Sequence, residues 1–245
     1  MQVRITYIQH NCFCLHFADR LLLFDCPGPE YRDPDAEHRL QEEIAGSRVD
    51  VFASHSHTDH FARDIRRVVR NAAETRFFVA DDVADLFEGR IPRESVVLEP
   101  DSTREIGEMN ISTLASNDLG VAFLLRKQGL TLYFGGDLAD WQWAGLPRAA
   151  RRAASIFFRG VLEGLKRRDV HLAFSNADPR LDNLAGAPRF VNHVRPDLFI
   201  PMHSFGYTKH FQLLRERISR ETNTRLFLYR DCGDSIVTDI HPVNA

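Results

Sequence analysis

Three imidazoles and a carboxylate crowd into six consecutive positions, His55-Ser56-His57-Thr58-Asp59-His60, directly behind the apolar run Val49-Asp50-Val51-Phe52-Ala53. These are side chains that zinc takes as ligands. A solvated polar loop is the bland alternative, but four such groups without an ion would compete for few hydrogen-bond partners. At this chain's His and Asp frequencies, His-x-His-x-Asp-His arises by chance in about two of a thousand such sequences. A fold for this chain must therefore end a buried strand in a loop that points several ligands at one place. In an extended segment alternate side chains share a side, so His55 and His57 can grip one ion together. Asp59 and His60, at the turn into a following helix, can face a second.

The surrounding periodicity alternates strands with helices. Short apolar runs predict strands over 5–8, 13–17 and 21–24, and Asp25-Cys26-Pro27-Gly28-Pro29 breaks the pattern. A helix near 36–45, the strand at 49–53, a helix over 60–71 and a strand at 76–80 follow. Further β segments fall near 95–98 and 109–115, then a hairpin of 121–126 and 130–134 across Lys127-Gln128-Gly129. Ile156, Phe157, Val161, Leu162 and Leu165 keep helical spacing within 147–168. Strands at 170–174 and 197–201, a helix around 208–220 and two closing β segments complete an α/β layered domain expected to span 1–245.

Composition narrows the class. With 245 residues, 44% hydrophobic and 27% charged, the chain can bury a sizeable core like an ordinary soluble protein. A net charge of −3, mixed along the sequence, gives no reason to expect nucleic acid or a membrane surface as partner. No apolar run approaches the roughly 18 residues that span a bilayer, and the N-terminus lacks the pattern of a signal peptide, so a cytoplasmic location is expected. Cys12, Cys14, Cys26 and Cys232 fit reduced, half-buried thiols, with a Cys12/Cys14 metal site as the minor alternative. The arginine-rich segment 148–168 reads as a solvated face or a lid.

The histidine segment resembles the signature of the metallo-β-lactamase superfamily, and further elements occur in that family's order. Asp25, after Leu21–Phe24, matches an acidic residue that orients a metal ligand from beneath the histidine loop. Gly135-Gly136-Asp137 resembles the Gly-Asp element whose aspartate bridges two metals, and Pro201-Met202-His203 resembles the final ligand of the second metal. Tyr7-Ile8-Gln9-His10-Asn11 is most similar to the branch that holds ascorbate-6-phosphate lactonase-like hydrolases. The resemblance spans about residues 5–205. It implies an αββα sandwich, two mixed β-sheets packed face to face with helices outside, and two divalent metal ions, with zinc first and manganese or iron as alternatives.

The activity this implies is hydrolysis of an ester, lactone or phosphoester bond in a small molecule by a metal-bound hydroxide. Asp59 would ligate the second metal and aim the hydroxide. His10 is a candidate for proton transfer or substrate binding, or a structural histidine. Asp178 and Arg180 could bind an anionic substrate, or pair with each other. A metal-binding sensor or scaffold, and a mononuclear iron oxidoreductase of the same fold, are the rival readings. The family's first metal takes a third histidine, yet no His or Cys lies between His60 and Asp137. Asn117 matches its position by spacing, while Asp118 offers an anionic oxygen that would favour harder ions. Asp118 is therefore expected to complete that site or hold a water there, unless it only caps its turn.

Overall fold

Strands of two to eight residues, most of them built on short apolar runs, form the sheets, and the way they are connected decides where the site residues fall. The computed structural model describes residues 2–240, which divide into a unit of residues 2–100 and 229–240 and a unit of residues 101–228. In the first unit, β1 (Gln2–Gln9), β2 (Cys12–Phe17) and β3 (Arg20–Phe24) make an antiparallel meander. After α1 (Pro34–Ile44), the strands β4 (Arg48–Ala53), β5 (Glu74–Ala80) and β6 (Val96–Leu98) continue the sheet in parallel. β14 (Ser235–Asp239) closes the opposite edge against β1, giving the order β14-β1-β2-β3-β4-β5-β6.

The second unit repeats that grammar. β7 (Thr103–Ile106), β8 (Met109–Ala115), β9 (Val121–Lys127) and β10 (Leu130–Phe134) are antiparallel neighbours. β11 (Leu172–Asn176), β12 (Leu198–Met202) and β13 (Arg225–Leu226) then add in parallel, with α4 (Arg148–Leu165), α5 (Ala187–Val194) and α6 (Phe211–Arg217) in the connections. The order is β13-β12-β11-β10-β9-β8-β7. Parallel strands deliver their C-terminal ends to one edge of a sheet, which is where open α/β sheets place their ligand sites. Asp25 and the histidine loop follow β3 and β4, and Asp137, Asp178 and His203 follow β10, β11 and β12.

Packing holds those strand ends still. Parallel strands read as continuous apolar runs, and β3 is buried throughout, as is β4 from its second residue on. Phe24, Phe52 and Phe78 are register partners on β3, β4 and β5, and their rings stack at 4.9 and 4.8 Å. Charged residues in this unit are buried only with partners. Glu43 accepts from both terminal nitrogens of Arg4 and contacts His16 at 2.6 Å, and Asp50 is held by Arg20 and Arg76. No helix among the described residues is long and apolar enough to cross a membrane.

Several expected elements differ. The helix expected over 60–71 shrinks to α2 (Ile65–Val68), because the His60 and Phe61 N–H groups both turn back to the His57 carbonyl and Arg32 pins Asp64 from a distance. The helix expected around 208–220 is a 3₁₀ turn at Thr208–His210 followed by α6. α3 (Asp81–Leu86), α5 and β7 were not expected; Pro188 lies in the first turn of α5, where proline is tolerated. Met1 and residues 241–245, the two ends of the span expected for the domain, lie outside the described residues. Cys12, Cys14 and Cys26 are free and fully rather than half buried, and burial pushes the thiols of Cys12 and Cys14 well up.

Candidate metal centre

In the first unit one carboxylate organises the histidine loop. Asp25 continues the β3–β4 ladder by donating its N–H to Phe52 O (2.9 Å), then turns through a positive φ of 42°. Its side chain is fully buried and accepts from Ser54 N at 2.8 Å, Ser54 Oγ at 2.6 Å and His60 Nδ1 at 2.9 Å. Ser54 Oγ has only one hydrogen, and it goes to Asp25. The 3.0 Å contact between Ser54 Oγ and His55 Nδ1 must therefore be donated by His55. Asp25 thus fixes the tautomer of His60 directly and of His55 through Ser54, so each ring, when neutral, carries its lone pair on Nε2. A carboxylate behind a histidine is the usual device for orienting a metal ligand.

The Nε2 atoms point into a cluster of donors. His55 Nε2 lies 3.1 Å from His57 Nδ1. A tetrahedral ion with Zn–N bonds of about 2.0–2.1 Å would set two nitrogens about 3.3 Å apart, so this pair matches a shared ion. His60 Nε2 faces Asp59 Oδ2 at 3.9 Å, and His10 Nε2 approaches the same oxygen at 3.4 Å. His55, His60 and His10 are buried, whereas His57 is exposed and Asp59 half-buried. Backbone bonds fix the loop: Ser56 N donates to Asp82 Oδ2 (2.9 Å), and Gly28 N to Thr58 O (2.7 Å). This donor set, rich in imidazole with one flanking carboxylate, fits a divalent transition metal.

In the second unit a matching arrangement grows from β10, β11 and β12. Gly135 extends the β10–β11 ladder to Phe174 O, and a Cβ there would stand 3.3 Å from that carbonyl, a tight approach at the turn into Asp137. His203 follows β12 in the left-handed region (φ 60°), its Nδ1 3.0 Å from Asp178 Oδ2 and its Nε2 3.6 Å from Asp137 Oδ1. Burial alone would lower the His203 pKa, but the facing carboxylates of Asp137 and Asp178 outweigh it and raise it to about 9. Asp178 is buried, which opposes ionisation, yet His203 and Arg180 hold its carboxyl well below the usual carboxylate range.

Arg180 and Asp178 form a local forked pair. The guanidinium donates from Nε at 2.9 Å and from Nη2 at 2.6 Å, and it stacks over Trp143 and Phe205 at 5.0 and 4.5 Å. Asn117 has both amide atoms engaged by Ala139: its Nδ2 donates to Ala139 O at 2.8 Å and its Oδ1 accepts from Ala139 N at 3.1 Å. Asp118 is exposed, with its N–H on Ser116 Oγ (3.1 Å). The aromatic wall was not read from the sequence. Trp141, whose Nε1 donates to Asp137 O at 2.9 Å, and Trp143 follow the Gly-Gly-Asp turn as Trp-x-Trp, a spacing with no chemistry of its own. Ser54 and Asp82 were also missed; a polar residue beside a ligand motif carries no distinctive signal.

Comparison with known proteins bears on the fold and the family. The family model described as "Beta-lactamase superfamily domain" matches residues 20–204. Igni18, a metallo hydrolase from the archaeon Ignicoccus hospitalis, is similar with a TM-score of 0.71 at 14% identity, over 98% of this chain and 100% of that one. The metallo-β-lactamase fold protein YhfI from Bacillus subtilis aligns with a TM-score of 0.64 at 14% identity, over 97% and 100% of the two chains. CmlA, a diiron β-hydroxylase from Streptomyces venezuelae, reaches a TM-score of 0.54 at 15% identity, over 97% of this chain and 54% of that one. No curated protein matches the chain. Two mixed seven-stranded sheets with their helices match the metallo-β-lactamase α/β sandwich fold.

Proposed function

The chain belongs to the β-lactamase superfamily, and we propose that it is a metal-dependent hydrolase acting on an ester, lactone or phosphoester bond of a small molecule. The observation that carries this is the tautomer control by Asp25, which sets the Nε2 lone pairs of His55 and His60 among His57 and Asp59. A merely structural histidine loop has no need to present several lone pairs together. In this reading the candidate donors for divalent ions are His55, His57, Asp59 and His60 of the first unit and Asp137 and His203 of the second, zinc being the first ion to test. When bound, such ions supply Lewis acidity and a nucleophile from water near neutral pH.

The chain's own residues do the rest. Asp59 Oδ2, between His10 Nε2 and His60 Nε2, is placed to hold a proton taken from water, and His10 is the group to pass it on. Asp25 and Asp178 keep His60 and His203 in orientation. Asp118 is the candidate for the oxygen ligand that the missing third histidine leaves open. The resemblance of Tyr7–Asn11 to the ascorbate-6-phosphate lactonase-like branch rests on those residues alone.

Esters, lactones and phosphodiesters offered to the metal-loaded protein test the proposal. Expected is turnover that a chelator abolishes and zinc or manganese restores. Full metal content with no turnover of any class would favour the sensor reading instead.

A further inference from the structure

The second unit contains a cavity of about 540 Å³ whose chemistry bears on the substrate. Asp137 and His203 lie in its wall, so it opens onto proposed metal ligands. The rest is mainly apolar. Trp141 and Trp143 lie nearly parallel, 5.9 Å apart and 11° between planes, and α4 presents Ala150, Ala153 and Ala154 at helical spacing. Leu146 and Phe157 are each 39% exposed, unusual for large apolar side chains beside a polar site. Alanines on the helix keep the space open that larger residues would fill.

Carboxylates outnumber cationic groups in the wall. Its ionisable residues besides His203 are Asp118 and Asp137, and among the described residues no lysine or arginine lines it. Arg180, stacked on Trp143, already donates both limbs of its guanidinium fork to Asp178. A phosphate or carboxylate on the substrate's tail would meet carboxylate and indole here, and the His203 imidazole is already taken by the carboxylates of Asp137 and Asp178. Sites of this kind, apolar with a few convergent polar groups, suit compact organic groups.

We propose that this cavity receives an uncharged apolar moiety, an aryl or short alkyl group, on the acyl or alcohol side of the bond that is cut. The identity of the bond rests on the hydrolase reading; the preference for an apolar group does not. That separation can be measured, because both tryptophans of the chain stand in the cavity wall. Their emission, titrated with unreactive 4-phenylbutanamide and with unreactive 4-phenylbutane-1-sulfonate, reports occupancy without catalysis. Expected is a saturable change with the amide and at least tenfold weaker binding of the sulfonate. Ala153→Phe, at an exposed position that should not disturb folding, should weaken the amide at least tenfold. Equal or tighter binding of the sulfonate, unchanged emission with the amide, or an indifferent Ala153→Phe variant would each overturn the inference. Amide binding by a metal-loaded protein that hydrolyses neither phenyl butyrate nor γ-phenyl-γ-butyrolactone would keep the apolar preference and remove the hydrolase reading.

Discussion

Asp25–His60–Asp59 in the first unit and Asp178–His203–Asp137 in the second are built alike. In each a buried carboxylate takes the imidazole Nδ1, at 2.9 and 3.0 Å, and a second carboxylate faces Nε2, at 3.9 and 3.6 Å. Both sit where a sheet turns from antiparallel to parallel pairing and strand C-termini gather. Their surroundings differ. Asp25 is held by the N–H and O–H of Ser54 and through it controls a second imidazole, so the first unit concentrates donors. Asp178 is held by Arg180, whose other face stacks on aromatic rings, so the second unit ties its donors to an apolar wall. On the proposed reading both strand-end devices offer metal donors, and the second adds a wall that shapes what can bind beside them.

The sharpest way to break this comparison is to remove the residue unique to each chemistry. Asp59→Asn should lower turnover by about 10³-fold or more, since it removes the group that holds the proton, with the fold intact by circular dichroism. A variant retaining more than a tenth of activity would displace Asp59 from the mechanism. Packing supports the first arrangement just as firmly. Phe52→Ala, at the centre of the stacked Phe24–Phe52–Phe78 ladder, should cost about 3–5 kcal/mol in denaturant unfolding. A cost below about 1 kcal/mol would mean that the ladder does not hold the strand ends.

Asp25→Asn and Asp178→Asn compare the two orienting carboxylates directly. Each should weaken metal affinity about 10–100-fold, as supporting partners of ligands do. Asp25→Asn should be the more damaging, because it disturbs two imidazoles, whereas Asp178→Asn disturbs one imidazole and the Arg180 fork. Equal losses would mean that Ser54 does not transmit orientation to His55.

A smaller effect concerns the ion cluster under the first sheet. Burial works against the Glu43 carboxylate, but hydrogen bonds from His16 and Arg4 outweigh it and lower its pKa from 4.5 to about 2. The stability this supplies is complete above pH 4.5 and is lost as pH falls through about 2. The unfolding free energy of Glu43→Gln should therefore fall less over that window than the parent's, by roughly 1–3 kcal/mol. Parallel pH profiles would exclude Glu43 as a source of acid sensitivity.

Much of this arrangement was readable before any coordinates. The histidine loop, Asp25, Asp137 and His203 stand at the ends of apolar runs, and a run of Leu21–Phe24 or Leu130–Phe134 has few options besides a buried strand. What escaped depends on contacts distant in sequence. The helix expected at 60–71 gives way to turns because the loop backbone serves its ligands and Arg32 reaches across 32 positions to Asp64. Asn117 matches a ligand by spacing, yet its amide ties two loops together through Ala139. The cavity emerges only when Trp141 and Trp143 meet α4, a pairing that no local pattern announces.

The central claim is that both arrangements contribute metal donors, and elemental analysis of purified His60→Ala and His203→Ala beside the parent tests it most directly. The account predicts that each variant keeps its fold and loses bound metal, with up to two ions per chain in the parent. Parent-like metal content in both variants would contradict it.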